Sequence, residues 1–126
     1  MDPIAPSDVT TPTSPFSLGM ATPGLVFVAG QVPLDADGEV VGVGDVAAQT
    51  RQVLANVRSV LAAAGATLAD VAMANVYLAG FDGYADYNRA YAEAFGEHRP
   101  ARVTVQAGLA RPEFLVEISA IAVRPS

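Results

Sequence analysis

Apolar positions recur along this chain with two different periods, and the places where one period gives way to the other divide it into elements. Between residues 45 and 64, Val46, Thr50, Val53, Leu54, Val57, Val60, Leu61 and Ala64 return every three or four positions, the spacing of one face of an α-helix. Gln49, Arg51, Gln52, Arg58 and Ser59 fall on its other face. Asp45 stands where a side-chain oxygen accepts from the first free amides, and Gly65 stands where a left-handed residue ends a helix, so both ends are marked. A second helix is predicted to open at Asp82 or Gly83. Tyr84, Tyr87, Tyr91 and Phe95 supply its apolar stripe, and Gly96 closes it.

Elsewhere the period is two. Residues 16–21 are expected to pair with 25–29 across Thr22-Pro23-Gly24, and Gly30, Gln31 and Pro33 end that run. Asp35-Ala36-Asp37-Gly38 has the residues of a tight turn, with a short extended piece at 39–41 after it. Residues 71–79, 101–107 and 115–123 read as three further strands, the last two separated by a loop holding Gly108 and Pro112. Residues 1–14, with Pro3, Pro6 and Pro12 among Ser, Thr and Asp, are expected to form a mobile arm ahead of a single domain over 15–126. The order of elements gives an α+β sheet whose two helices cover one face. In the last strand Val116, Ile118, Ala120 and Ala122 share one side, while Leu115, Ile121 and Val123 share the other with Glu117 and Ser119. Both sides are largely apolar and two helices bury only one, so the other is expected to pack against further copies of the chain.

Composition narrows the chemistry. At 126 residues the chain has room for one core and no separate catalytic module. There is no cysteine, which removes disulfides, thiolate nucleophiles and Cys-ligated metals, and His98 is the one histidine, which leaves no His-rich metal site. The net charge of −6, without a lysine or a cluster of arginines, disfavours nucleic acid as a partner. No apolar run is long enough to span a bilayer and the first residues lack the pattern of a signal peptide, so a cytoplasmic protein without membrane contact is expected.

Polar groups interrupt the strands at a few places. Arg102, Thr104 and Gln106 share one side of their strand, and Glu117 breaks an otherwise apolar run. A guanidinium beside apolar surface needs a partner, and a small carboxylate fits its fork. A glutamate among aliphatic side chains is expected to have a raised pKa, suited to exchanging a proton or orienting a water. The plainer reading, favoured by spacing alone, is that Arg102 and Glu117 pair with each other across adjacent strands or meet charges of a neighbouring subunit. His98 reads as a solvated loop residue. The tyrosines of the second helix read as core, with Tyr91 and Asn88 able to reach a pocket edge.

Four stretches, Val28-Ala29-Gly30-Gln31-Val32-Pro33-Leu34, Gln49-Thr50-Arg51-Gln52-Val53-Leu54-Ala55-Asn56-Val57, Pro100-Ala101-Arg102-Val103-Thr104-Val105 and Val116-Glu117-Ile118-Ser119-Ala120-Ile121-Ala122, resemble successive signatures of the Rid/YjgF family in order and spacing. The resemblance implies a chorismate-mutase-like α+β subunit with a mixed sheet, assembled as a homotrimer with active sites between subunits. It also implies cofactor-free, metal-free hydrolysis of reactive 2-imino and 2-aminoacrylate-type acids to 2-oxo acids and ammonia. By motif, Arg102 would hold the substrate carboxylate and Glu117 would position the attacking water. Gly30 and its neighbours would shape the pocket, with Asn88 and Tyr91 as contributors from around the subunit boundary. The chain departs from the family pattern at three positions. Phe16, in Ser14-Pro15-Phe16-Ser17, stands where a tyrosine is common, Ala29 where a serine often precedes the Gly-Gln pair, and Thr104 two places after the arginine where a cysteine is frequent. A bulkier or more apolar substrate follows from those changes. Other imine or carbonyl chemistry in a pathway, or a metabolite-binding trimer without catalysis, are the alternatives.

Overall fold

The computed structural model describes residues 1–124, and its strands form one six-stranded sheet. The strands are β1 (Asp2–Ile4), β2 (Gly19–Ala21), β3 (Leu25–Gln31), β4 (Val71–Leu78), β5 (Ala101–Gln106) and β6 (Val116–Val123), and the helices are α1 (Val46–Ala63) and α2 (Tyr84–Phe95). Across the sheet the order is β1-β2-β3-β6-β4-β5. The β4–β5 pair is parallel, joined through α2, and every other pair is antiparallel, so the sheet is mixed. The last strand therefore enters the centre, between β3 and β4.

Local signals set the helix ends. Asp45 accepts from the Ala48 amide at 3.0 Å. At the other end Gly65, with φ of 76°, lets the Ala66 amide return to the Leu61 carbonyl and its own amide to Ala62, both within 3.0 Å. The expected hairpin forms with Met20 opposite Phe27, and Asp35 organises the next turn by accepting from the amides of Asp37 and Glu39. After that turn only a single bridge, Leu34 to Val40, represents the expected extended piece.

The core lies between the helices and one face of the sheet. Val53, Leu54, Val57, Val60 and Leu61 of α1 meet Val26, Ala74, Val76, Ile118 and Ala122, all of them buried. Two expectations are corrected here. Residues 1–14 do not all stand away as an arm: β1 pairs with β2, Ile4 and Val9 are buried in the core, and Asp8 accepts from the Ser59 hydroxyl at 2.7 Å. Apolar residues at 4 and 9 supply the anchor that the proline-rich composition concealed. Likewise Gln49, placed by periodicity on the polar face, is fully buried. Its amide nitrogen donates to the carbonyls of Gly42 and Glu113, and its oxygen accepts from the Leu115 amide at 2.8 Å, so it ties the start of α1 to the loop before β6. Asn56 is buried in the same way, donating to the carbonyls of Val32 and Leu34.

The other face has no cover. Leu25, Phe27, Val103, Val105 and Val123 expose between 38 and 54% of their surface, on the side that also carries Met73, Asn75, Tyr77, Glu117 and Ser119.

Candidate active site

Glu117 is the second residue of β6 and sits opposite Tyr77 of β4, on the uncovered face. Its other neighbour is a defect in the β3–β6 ladder. Pairing is regular from Leu25–Val123 to Val28–Ala120 and resumes at Gln31–Ile118 one residue out of step, so Ala29 and Gly30 form a bulge. The buried Gln31 side chain holds the bulge by donating to the Ala29 carbonyl at 2.9 Å. The lack of a side chain at Gly30 makes room for Glu117: a Cβ would strike its carboxylate and lie 3.0 Å from its Cδ, so the carboxyl would have to swing away. The carboxyl thus occupies the space that any other residue at 30 would fill. Burial raises its pKa above the ordinary carboxylate value of 4.5.

Beside Glu117 and Gly30 opens a cavity of about 550 Å³, walled by the segment from Val9 to Leu18, the end of β3, and Ala110, Arg111 and Phe114. This volume lies within the usual range for a small-molecule site, about 300–1,000 Å³. Phe16 stands at its edge, 55% exposed, presenting a ring without a hydroxyl. Ala29 is half-buried in the bulge next to it.

A second constellation gathers around Arg102. One guanidinium nitrogen donates to Asn88 Oδ1 at 2.9 Å and another to the Tyr84 hydroxyl at 3.0 Å, while the group lies 4.8 Å from the Tyr91 ring centre and 5.4 Å from that of Tyr87. Neutral acceptors and aromatic faces orient the cation and leave its charge unmatched. Thr104 shares a hydrogen bond of 3.2 Å with the Tyr87 hydroxyl. Burial pushes the Tyr91 phenol up to about 12, and its buried oxygen meets no partner among the described residues. Asn88, Tyr91 and Thr104 therefore do come together with Arg102.

Arg102 and Glu117 do not come together within one chain. Arg102 is level with Ala74 of β4, a buried position on the helix side, whereas Glu117 is level with Tyr77 on the open side. Strand β4 lies between their strands, so the plain cross-strand ion pair is excluded. Among the described residues the one ion pair is Arg89 with Asp86 on the exposed side of α2. His98 is not a solvated loop residue. It is half-buried, its ring packs beside Phe95, and its Nε2 donates to the Val71 carbonyl at 2.7 Å, closing the start of β4. Among the described residues no three His, Asp or Glu side chains are grouped to hold a metal, and no helix is long and apolar enough to cross a membrane.

A sheet with two helices on one face, a glycine bulge cradling a carboxyl and an arginine set on tyrosines define a class of small-molecule site. The family model described as Endoribonuclease L-PSP matches residues 7–124, and the chain belongs to this family, also called YjgF/Rid. The chain is 32% identical to the YjgF gene product of E. coli, with 99% of this chain and 100% of that one covered and a TM-score of 0.92. E. coli TdcF, solved with bound serine, is 30% identical over 99% of this chain and 100% of that one, also at 0.92. A Rid-family protein of unknown function from Yersinia pestis is 31% identical over 97% and 98%, at 0.90.

Proposed function

We propose that this protein hydrolyses reactive 2-imino acids, and their 2-aminoacrylate-type enamine tautomers, to 2-oxo acids and ammonia, as a cytoplasmic homotrimer. The observation that carries this reading is the separation of Arg102 and Glu117 onto opposite faces of the sheet. Each group is poised and each lacks a counterpart, so a second copy that covers the open face would bring its own Arg102 edge toward Glu117. The exposed Phe27, Val103, Val105 and Val123 supply the apolar contact for such an assembly. A relative solved with serine bound supports a small amino-acid-like carboxylate as ligand.

In that cleft Arg102 holds the substrate carboxylate in its fork and limits the orientations of the imine carbon. A water next to Glu117 adds to that carbon. The new C–O bond forms as the C=N π pair moves to nitrogen, and a proton released by the water reaches nitrogen through the carboxyl. The carbinolamine hydroxyl then gives its proton, through the same carboxyl, to the amino nitrogen, and the C–N bond breaks to release ammonia as the C=O bond forms. A carboxyl whose pKa burial raises suits both transfers, because it holds a proton more firmly than a solvated carboxylate and can hand it on. Ribonuclease activity fits poorly with a net charge of −6 and no lysine. The hydroxyl-free Phe16 at the cavity edge favours a bulkier substrate than aminoacrylate, and it is the feature that keeps different imine or carbonyl chemistry as a second reading.

The test is hydrolysis of short-lived imines made in place by an amino-acid oxidase and trapped in competition by semicarbazide. Wild type is expected to suppress semicarbazone formation. Arg102→Ala is expected to lose about 100-fold or more in kcat/KM, with the assembly intact by sedimentation. Neither Arg102→Ala nor Glu117→Gln should act alone, while hybrids assembled from both should recover a fraction of the activity. Wild type that is folded and assembled yet accelerates no imine would overturn the reading.

A further inference from the structure

The cavity beside Glu117 carries a second feature that imine hydrolysis does not use. Of the side chains that line it, only Arg111 and Glu117 are charged; the remainder of the wall is threonine and serine hydroxyls, the amides of Gln31 and Asn56, and apolar surface. Arg111 is exposed, and among the described residues its guanidinium meets no carboxylate within ion-pairing distance. It rests against Phe114, 5.4 Å from the ring centre. The backbone beneath it is fixed at several points. The Phe114 amide returns to the Arg111 carbonyl at 3.1 Å in a turn with Pro112 at its second position, Phe114 is buried, and the buried Gln49 clamps Glu113 and Leu115 on either side of Phe114. An unpaired cation on a fixed loop, lining a cavity with neutral hydroxyls, is a ready site for an anion.

We propose that this cavity receives the substrate side chain and that Arg111 selects 2-imino acids bearing a second, terminal carboxylate. The inference rests on the reaction proposed above: Arg102 of one copy takes the carboxylate next to the imine, Glu117 faces the reacting carbon, and Arg111 reads the far end. Its role is in binding, so it acts on KM more than on kcat.

The experiment compares a matched pair, 2-iminoglutarate and 2-iminopentanoate, made in place by oxidases from glutamate and norvaline. The ratio of their kcat/KM values is measured for wild type, Arg111→Ala and Arg111→Lys. Wild type is expected to favour the dicarboxylate. Arg111→Ala should reduce that preference by roughly 10–100-fold, mainly through KM, and Arg111→Lys should retain part of it. An absent preference, or one that survives in Arg111→Ala, overturns the assignment and leaves imine hydrolysis standing. If wild type hydrolyses neither imine, calorimetric binding of 2-oxoglutarate against 2-oxopentanoate decides. A dicarboxylate preference lost in Arg111→Ala upholds the role of Arg111 while the reaction falls, and equal binding of the two acids refutes it.

Discussion

The two faces of this sheet are built from the same strands and obey different rules. In β6, Val116, Ile118, Ala120 and Ala122 point under the helices and are almost fully buried, while Glu117, Ser119, Ile121 and Val123 point away and are not. The covered side of β6 is apolar, and the buried polar side chains of α1 that face the core, Gln49 and Asn56, have hydrogen-bond partners for both their nitrogen and their oxygen. On the open face apolar side chains alternate with Asn75, Tyr77, Glu117 and Ser119, with Asn75 and Ser119 3.4 Å apart. One face is covered within the chain, and the other leaves Glu117 beside exposed apolar side chains. A carboxyl tolerated on the open face, such as Glu117 with its raised pKa, would meet no partner among the buried apolar side chains on the covered side of β6.

The largest expected effect of breaking this contrast comes from substituting one apolar residue on each side. Leu54→Ala, in the covered core, should cost about 2–5 kcal/mol in denaturant unfolding. Phe27→Asp, on the open face, should instead leave a folded chain with unchanged far-ultraviolet circular dichroism that no longer assembles in sedimentation. Equal loss of structure in both variants would show that the open face is part of the chain's own core. Next comes Gln49→Ala. It leaves two carbonyls and one amide of the Gly42 and Glu113–Leu115 segments without partners and should cost about 1–3 kcal/mol. An unfolding midpoint equal to wild type would mean that solvent replaces those bonds.

The smallest effect concerns pH. Burial raises the Glu117 carboxyl above 4.5 in the folded chain, so the folded state keeps this proton over a window in which the unfolded chain has lost it. Stability from this group is therefore present at low pH and falls as pH rises through the window. Glu117→Gln has no proton to lose, so its stability relative to wild type should increase from about pH 4.5 upward and level off above the folded pKa. Thermal melts of the two proteins across that range should diverge; parallel curves would show that the carboxyl is solvated as in a free peptide.

What the sequence determined by itself was local. Helix α1 was readable from end to end because periodicity, Asp45 and Gly65 act within a few residues of one another, and the 22–24 turn and the alternation of β6 were readable for the same reason. Arg102 and Glu117 stood out as polar interruptions of apolar strands, Gly30 entered through the family resemblance, and the comparison then showed that family. The tertiary structure decided everything that depended on a distant partner. It made β1 an edge strand by giving Ile4 and Val9 a core to enter, buried Gln49 against the Glu113 carbonyl 64 residues away along the chain, and tied His98 to Val71. It also set Arg102 and Glu117 on opposite faces by inserting the last strand between β3 and β4. Periodicity reports which side of its own element a residue occupies, but strand order and register, which decide what it meets there, come only from the packing of segments far apart in the chain.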